Sequence, residues 1–280
     1  MAYIVPIHSA SSIRNALKAR FMKADEDCLI VGKSSRLEIY TQSPDGLVLQ
    51  HSKAVYGKIT VLQQLCRQGQ TDLLFIGTDR CAYFTVSWDA DASQLRTERK
   101  YIDLSDGSLR EAQNGDRCLI DPSRSFLTLE VYEGVVTIIP LASDLHKRPK
   151  AASAEPFVGL LGEPLQVRIE ELLVRSSAFL DREGTQPPRM ALLYEDTQGK
   201  VKLKLRDLKY THAVVSGDGG NSAELKDVTI LSDELDLGAS ILIPVPRPLG
   251  GFLILGESSI KYVDVFRNET ISRPLAESTV

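Results

Sequence analysis

The sequence predicts an all-β protein built as a β-propeller, and three observations lead to this fold class. A hairpin pattern recurs five times, its first copies are spaced as propeller blades are, and long amphipathic helices are missing. The chain has 280 residues, of which 43% are hydrophobic and 25% charged, as expected of a globular protein. A chain of this length holds one large β domain or two average ones.

The recurring pattern is an apolar run, a short polar turn and a second strand-like run, as in the first copy, CLIVGKSSRLEIY. Such a pattern is typical of a β-hairpin whose first strand is well buried. The five copies occupy residues 28–40, 73–86, 118–132, 190–205 and 251–266.

The spacing of the copies predicts blades of four strands. Counted from the first residue after each apolar run, the spacings are 45, 44, 74 and 61 residues. The first two match the period of a four-stranded blade, which is about 40–45 residues. The two longer spacings predict inserted loops at 142–164 and 210–227.

The segments between the hairpins predict the remaining strands. Four precede a hairpin and are interpreted as innermost strands of blades: 15–22, 57–66, 165–174 and 238–246. Three others are interpreted as outer strands: 46–55, 93–101 and 134–141. Residues 168–180 have helical potential, but their place in the repeat predicts a strand. Residues 1–280 are thus predicted to be a single N-terminal propeller region of about five blades, truncated before ring closure and part of a seven-bladed ring.

Gly32, Lys33 and Ser34 in the first hairpin raise the question of a nucleotide cofactor. A phosphate-binding loop has another glycine five positions earlier, where this chain has Asp27, whose carboxylate would repel phosphate. Such a loop also opens a helix, whereas the following RLEIY alternates polar and apolar residues as a strand does. The sequence therefore predicts a strand, a turn and a strand here, and no cofactor.

Composition and cysteine spacing argue against several other classes of protein. The four cysteines include no CxxC pair, so free thiols are expected and no zinc site. The net charge is −4 and the basic cluster at 146–150 is short, so direct nucleic-acid binding by this segment is not supported. No apolar run approaches the roughly 18 residues of a membrane span.

Short motifs in register along nearly the whole chain resemble a known family. They include RLEIY at 36–40, YGKI at 56–59, DLLFI at 72–76, RIEEL at 168–172 and VPRPLGGFLILGESSIKY at 245–262. The chain resembles the first, WD40-like β-propeller of the family of UV-damaged DNA-binding protein 1, the adaptor of cullin-4 ubiquitin ligases. The same family includes the large subunit of the cleavage and polyadenylation factor and a large splicing factor 3b subunit.

This resemblance implies a non-catalytic protein-interaction scaffold that helps to hold substrate receptors in nucleotide excision repair, a form of DNA repair, and in protein ubiquitination. The implied partners are substrate-receptor proteins of the cullin-4 ligase. In the family, cullin-4 is held by a second propeller, which this sequence lacks. The implied location is the nucleus and also the cytoplasm. The alternative is an RNA-processing scaffold in pre-mRNA cleavage and polyadenylation or in splicing, and the shared fold does not choose between them.

The sequence contains no pattern that predicts catalysis or metal binding. GxSxG and HExxH motifs are missing, and the four histidines are scattered. A propeller enzyme would need convergent His, Asp or Glu side chains on its innermost strands, and the predicted innermost strands are mostly apolar. No catalytic residue, no metal ligand and no enzymatic activity are therefore expected.

Recognition is expected instead at the turns between the second and third strands of the blades, which a propeller presents on one face. Five basic residues of these turns are candidates for partner binding: Lys33, Arg36, Arg80, Arg124 and Lys200. They would make this rim basic within an acidic protein. The alternative is that they are ordinary solvated turn residues.

Overall fold

The computed structural model describes residues 11–67, 69–101, 108–141, 161–181, 186–211, 221–231, 235–265, 267 and 269–275. Within these residues the chain forms twenty β-strands and no helix. It divides into two compact units: unit 1 consists mainly of Met1–Gly107, and unit 2 mainly of Ser108–Ser143 and Gly162–Val280.

Unit 1 contains two four-stranded antiparallel sheets, in which strands follow each other in chain order. Sheet 1 consists of β1 (Ile13–Ala19), β2 (Cys28–Lys33), β3 (Arg36–Ser43) and β4 (Gly46–Ala54). Sheet 2 consists of β5 (Ile59–Leu65), β6 (Leu73–Thr78), β7 (Tyr83–Asp89) and β8 (Gln94–Tyr101).

Unit 2 contains three further four-stranded antiparallel sheets with the same simple order. Sheet 3 consists of β9 (Arg117–Ile120), β10 (Phe126–Tyr132), β11 (Val135–Pro140) and β12 (Leu165–Arg168). Sheet 4 consists of β13 (Val174–Phe179), β14 (Arg189–Glu195), β15 (Val201–Thr211) and β16 (Ser222–Leu231). Sheet 5 consists of β17 (Ile241–Pro244), β18 (Phe252–Leu255), β19 (Ser259–Asp264) and β20 (Glu269–Pro274).

The hydrophobic core of each unit lies between successive sheets. In unit 1, Ile30 and Ile39 of sheet 1 form one cluster with Leu74 and Ile76 of sheet 2, and all four are at most 1% exposed. Burial of each such side chain contributes about 1.5–3 kcal/mol. Sheet-on-sheet packing of this kind explains why the buried strands of the sequence are nearly continuous apolar runs.

Sheet 4 shows the reason for the continuous pattern most clearly, because both of its faces are buried. Successive side chains of a strand point to opposite faces. Met190 and Leu192 of β14 therefore cluster with Leu119 of sheet 3, whereas Leu193, on the opposite face, clusters with Phe252 of sheet 5.

These sheets confirm the predicted all-β fold, with five four-stranded antiparallel sheets of the kind that form propeller blades. The hairpins at 28–40, 73–86, 190–205 and 251–266 are the central pairs of their sheets, as predicted.

The hairpin at 118–132 is a true hairpin, but its assignment to the middle of a blade is wrong. It consists of β9 and β10, the first and second strands of sheet 3. Residues 134–141 form the third strand, β11, and not an outer strand. Every adjacent pair of a four-stranded meander gives the same apolar–turn–apolar pattern, so the pattern cannot tell which pair it marks.

Two other boundaries also differ from the prediction. Residues 165–174 were interpreted as one innermost strand, yet they contain outer strand β12, a connector at 169–173 and the start of β13. Residues 222–227 belong to β16 and not to a loop, and 212–220 and 142–160 lie outside the described residues. The predicted strand within 168–180 is confirmed by β13.

Candidate functional site

In unit 1, the turns between second and third strands lie beside the connector that joins the two sheets. The Ile59 amide donates to the Ser34 carbonyl at 2.7 Å, and the Asp79 amide donates to the Lys58 carbonyl at 2.9 Å. The Asp79 carboxylate in turn accepts from the Lys58 amide at 2.7 Å. These bonds bring residues 34–35, 55–58 and 79–82 together, and we call this surface turn end 1.

Gly57 is required where the connector meets the second turn. Its φ is +97°, in the left-handed region that favours glycine. A Cβ at this position would lie 2.8 Å from Asp79 Oδ1 and 2.9 Å from Arg80 Cγ. The glycine of the YGKI motif therefore allows the turn to pack directly on the connector, and it leaves the preceding Tyr56 side chain 83% exposed.

Lys33 and Arg36 flank the first turn, but both are occupied by a buried carboxylate. Glu38 lies 2.7 Å from Lys33 Nζ and 2.8 Å from Arg36 Nη2, and its side chain is 5% exposed. Burial alone would raise the pKa of Glu38, but hydrogen bonds from Lys33 and Tyr40 outweigh it and hold the pKa below its usual value. The GKSS stretch is thus a strand–turn–strand element whose two flanking cations pair with Glu38, with no helix to receive phosphate.

Unit 2 repeats this construction at the three turns between second and third strands and at the connectors beside them. We use the name turn end 2 for these residues: 133–134, 169–173, 195–200, 235–240 and 256–258. The Ile169 amide donates to the Gly134 carbonyl at 2.9 Å, and the Leu173 amide donates to the Glu133 carboxylate at 2.8 Å. At the last turn, the Ser258 amide donates to the Asp236 carboxylate at 2.8 Å. A carboxylate between turn and connector is therefore shared by both units.

Arg175 of β13 fixes the connector between sheets 4 and 5. Its guanidinium donates to the carbonyls of Leu237 at 2.6 Å and Ala239 at 3.0 Å. It also pairs with the Glu195 carboxylate at 2.7 Å. Arg175 thus links the connector both to the first strand and to the turn of sheet 4.

The RIEEL motif, whose residues 169–172 belong to turn end 2, supplies the carboxylate of a buried charge cluster. Glu171 is 2% exposed, and its carboxylate accepts from Lys204 Nζ at 2.8 Å and from Arg206 Nη2 at 2.8 Å. Asp227 closes the cluster at 2.8 Å from Lys204 and 2.6 Å from Arg206. Burial would raise the pKa of Glu171, but the hydrogen bonds from Arg206 and Lys204 hold it below its usual value.

Large apolar side chains point into solvent at the connectors of both turn ends. Tyr56 at turn end 1 is 83% exposed, and Leu172 and Leu237 at turn end 2 are 54% and 66% exposed. Their neighbours explain the exposure: Gly57, Leu173 and Gly238 occupy tight or left-handed positions against the turns. The sequence interpretation missed these residues, although each stands a few residues before a first strand.

Of the five basic residues that the sequence grouped on one rim, three lie in unit 1 and two in unit 2, and within unit 2 Arg124 and Lys200 lie at opposite ends of their sheets. Lys33 and Arg36 flank the first turn of turn end 1, and Arg80 is exposed in its second turn. Lys200 is exposed at turn end 2. Arg124 is also exposed, but it lies in the turn between β9 and β10, so it is at the end of sheet 3 opposite Gly134.

The Arg124 turn is itself a self-contained element. The buried carboxylate of Asp121 accepts hydrogen bonds from the amides of Ser125 and Phe126 at 2.7 and 2.6 Å, and also from the Ser123 hydroxyl. These contacts satisfy the backbone of the turn internally, as is typical of an Asx turn. Nothing in them links Arg124 to either turn end.

No group of three or more His, Cys, Asp or Glu side chains is placed to hold a metal ion within the part of the chain that the structure describes. None of the four cysteines forms a disulfide bond within the described residues, and burial raises the pKa of Cys118 well above its usual value. Of the histidines, His51 packs against Trp88, and the other three lie outside the described residues. The described residues also include no helix with the length and hydropathy needed to cross a membrane.

Comparison with known proteins agrees with this architecture. The model of the RSE1/DDB1/CPSF1 first beta-propeller matches residues 12–280. DNA damage-binding protein 1 of Solanum lycopersicum and DNA damage-binding protein 1a of Arabidopsis thaliana are each 32% identical over 266 residues, which is 93% of this chain and 22% of the relative. DNA damage-binding protein 1 of Schizosaccharomyces pombe is 30% identical over 264 residues, covering 94% of this chain and 23% of the relative.

The chain thus spans 22–23% of the length of these curated relatives. The family match covers all five sheets and both turn ends. This chain belongs to the RSE1/DDB1/CPSF1 first beta-propeller family.

Proposed function

We propose that this chain is a non-catalytic protein-interaction scaffold of the cullin-4 adaptor type, which helps to hold substrate receptors for ubiquitination and DNA damage repair. The observation that carries the proposal is that exposed apolar connector residues stand at each turn end, Tyr56 in unit 1 and Leu172 and Leu237 in unit 2. Burial of such a side chain by a partner is favourable, at about 1.5–3 kcal/mol for a leucine that becomes fully buried.

The chemistry of the turn ends fits protein recognition better than catalysis. The carboxylates that lie there, Asp79, Glu133 and Asp236, accept hydrogen bonds from backbone amides. The Glu171 carboxylate is already paired with two buried cations, Lys204 and Arg206. Acidic groups that are already satisfied in this way position the backbone and are poor candidates for proton transfer.

Family membership supports the class of partner. The relatives named above are DNA damage-binding proteins, and this favours the adaptor role over the alternative of an RNA-processing scaffold. The implied partners are substrate receptors of the cullin-4 ligase, with cullin-4 itself bound through other parts of the family's longer chains. A nuclear location, with some cytoplasmic protein, is part of the same proposal.

Binding of substrate receptors to matched variants of the 280-residue chain tests the proposal. Leu237 and Leu249 are 66% and 70% exposed, and they lie at opposite ends of sheet 5. We expect Leu237→Asp to lower recovery of receptors roughly tenfold, because truncating a central apolar contact typically costs at least 1–2 kcal/mol. Leu249→Asp should leave recovery unchanged.

A second pair of matched variants tests the exposed basic residues in the same way. Lys200 lies at turn end 2 and Arg124 at the opposite end of its sheet, and both are exposed. Lys200→Glu should weaken receptor binding more than Arg124→Glu does. Equal recovery with all four variants would reject turn end 2 as the binding surface.

A further inference from the structure

Segment 110–117, which leads into sheet 3, is attached to the connector 169–173 of turn end 2 through one carboxylate. The Glu133 carboxylate accepts from the Gln113 amide with Oε1 and from the Leu173 amide with Oε2, each at 2.8 Å. One side chain thus joins two backbone segments that are distant in sequence.

The same two segments meet again at the Val174 carbonyl, where β13 begins. This carbonyl accepts from Asn114 Nδ2 at 2.9 Å and from Arg117 Nη1 at 2.8 Å. The Arg117 guanidinium is largely buried and also pairs with Glu130 at 2.9 Å, whereas Asn114 is exposed. Asn114 is therefore the solvent-facing part of this link, close in sequence to the exposed Leu172 that the connector carries.

Asn114 is followed by glycine, the neighbour that most favours deamidation of an asparagine. The reaction requires the backbone nitrogen of the next residue to reach the asparagine Cγ, and glycine has no Cβ to block this approach. The other three asparagines precede residues that have a side chain: Asn15 before Ala16, Asn221 before Ser222 and Asn268 before Glu269. The sequence therefore contains one Asn-Gly pair, and it lies at the link.

The turn around Gly115 leaves room for the approach of its nitrogen. Gln113, Asn114 and Gly115 are all exposed. Gly115 has a φ of +81°, and a Cβ built on it would meet no atom within 4 Å. Its amide donates to the Ala112 carbonyl at 3.2 Å, which is a long hydrogen bond. In the described part of the chain, each reacting group is thus restrained by one hydrogen bond on an open surface, and such bonds open readily.

We propose that Asn114 is a site of spontaneous deamidation, and that its product releases the connector 169–173 from segment 110–117. The Gly115 nitrogen bonds to Asn114 Cγ, the Cγ–Nδ2 bond breaks, and the displaced amide nitrogen leaves as ammonia with the proton that Gly115 gives up. Water then opens the resulting succinimide ring at either carbonyl, giving aspartate or isoaspartate. This chemistry needs no other reactant and does not depend on the proposed function.

Either product loses the donor that held the Val174 carbonyl. A carboxylate oxygen in place of Nδ2 repels the carbonyl oxygen, and its charge attracts Arg117, which donates to the same carbonyl. Isoaspartate also lengthens the backbone of the turn by one methylene. Conversion should therefore increase local opening of the backbone at residues 169–174.

Peptide mapping of the folded 280-residue chain, kept at mildly alkaline pH, tests the chemical step. The peptide that contains position 114 should accumulate aspartate and isoaspartate severalfold faster than the peptides that contain Asn15 or Asn221. Gly115→Ala should slow the conversion severalfold, because a Cβ hinders the attacking nitrogen. An Asn114 that stays intact in the folded chain would overturn the proposal, as would a conversion that Gly115→Ala leaves at the wild-type rate.

Hydrogen exchange followed by mass spectrometry tests the release of the connector. Asn114→Asp carries the charge of the product, and the peptide spanning 169–174 should exchange severalfold faster in this variant than in the wild type. Gln166→Glu makes the same change from amide to carboxylate at an exposed position of β12, and this matched control should leave the exchange unchanged. Exchange at the wild-type rate in Asn114→Asp, or an equal effect of the two variants, would overturn the proposed release.

Discussion

Replacing Glu171 with Gln should destabilise the chain far more than the same change at its neighbour Glu170. The Glu171 carboxylate is 2% exposed and receives hydrogen bonds from Arg206 Nε at 3.0 Å and Nη2 at 2.9 Å. It also pairs with Lys204 at 2.8 Å. Glutamine keeps the shape of the side chain but removes the charge and turns one acceptor into a donor.

The expected loss of stability in Glu171→Gln follows from the charges that remain in the buried cluster. Lys204 and Arg206 are both 6% exposed, so the variant leaves two buried cations with Asp227, which is 56% exposed, as their main counterion. Removing one member of a buried ion pair costs about 3–5 kcal/mol. Because Asp227 stays in place, we expect the lower end, about 3 kcal/mol, which corresponds to a melting temperature lower by about 6–12 °C.

Thermal unfolding followed by circular dichroism at neutral pH measures this effect. Glu170 is 86% exposed and lies 3.5 Å from Lys204, so Glu170→Gln should change stability by less than about 0.5 kcal/mol. The difference between the variants should shrink in acid. The lowered pKa of Glu171 stabilises the fold above the unfolded value of about 4.3, and this contribution is lost as pH falls through the folded value. Equal melting temperatures for both variants would refute the argument.

Two further predictions concern the turn ends. Gly57→Ala should lower the free energy of unfolding by more than about 1 kcal/mol, because its Cβ would lie 2.8 Å from Asp79 Oδ1. Gly46→Ala should cost less, because no atom lies within 4 Å of its Cβ and only its φ of +124° opposes the substitution. Urea unfolding of the two variants compares these costs. The pKa of Asp236 is lowered to about 2 by hydrogen bonds from the Ser258 hydroxyl and amide. The stability that Asp236 contributes should therefore persist above about pH 4 and disappear toward pH 2. Compared with the wild type, Asp236→Asn should have a lower free energy of unfolding at neutral pH and should lose less of it as the pH falls from about 4 to about 2.

The sequence was sufficient for the fold because the hairpin pattern depends on burial of both sheet faces. Four of the five hairpins are the central pairs of their sheets, and the first spacings give the blade period. The third hairpin was assigned to the wrong pair of strands, and the strand order in sheet 3 places Arg124 at the other end from Gly134. Local periodicity is the same for every pair in a meander, so only pairing partners distinguish them.

The candidate site was less predictable, since it depends on contacts between residues far apart in sequence. The sequence interpretation placed Lys33 and Arg36 on a basic, partner-binding rim, whereas the structure pairs both with Glu38. It gave no role to Tyr56 or Leu237, whose exposure follows from the packing of neighbouring glycines against turns. Exposure of an apolar residue is a property of the folded backbone and leaves no periodic pattern to detect.

The measurement that tests the central claim most directly is affinity purification of the 280-residue chain from cells, with the co-purified proteins quantified by mass spectrometry beside Leu237→Asp. An adaptor-type scaffold predicts that substrate receptors of the cullin-4 ligase are enriched with the wild type and depleted with the variant. Enrichment of subunits for pre-mRNA cleavage, polyadenylation or splicing in place of receptors would contradict the account, as would receptor recovery that Leu237→Asp does not change.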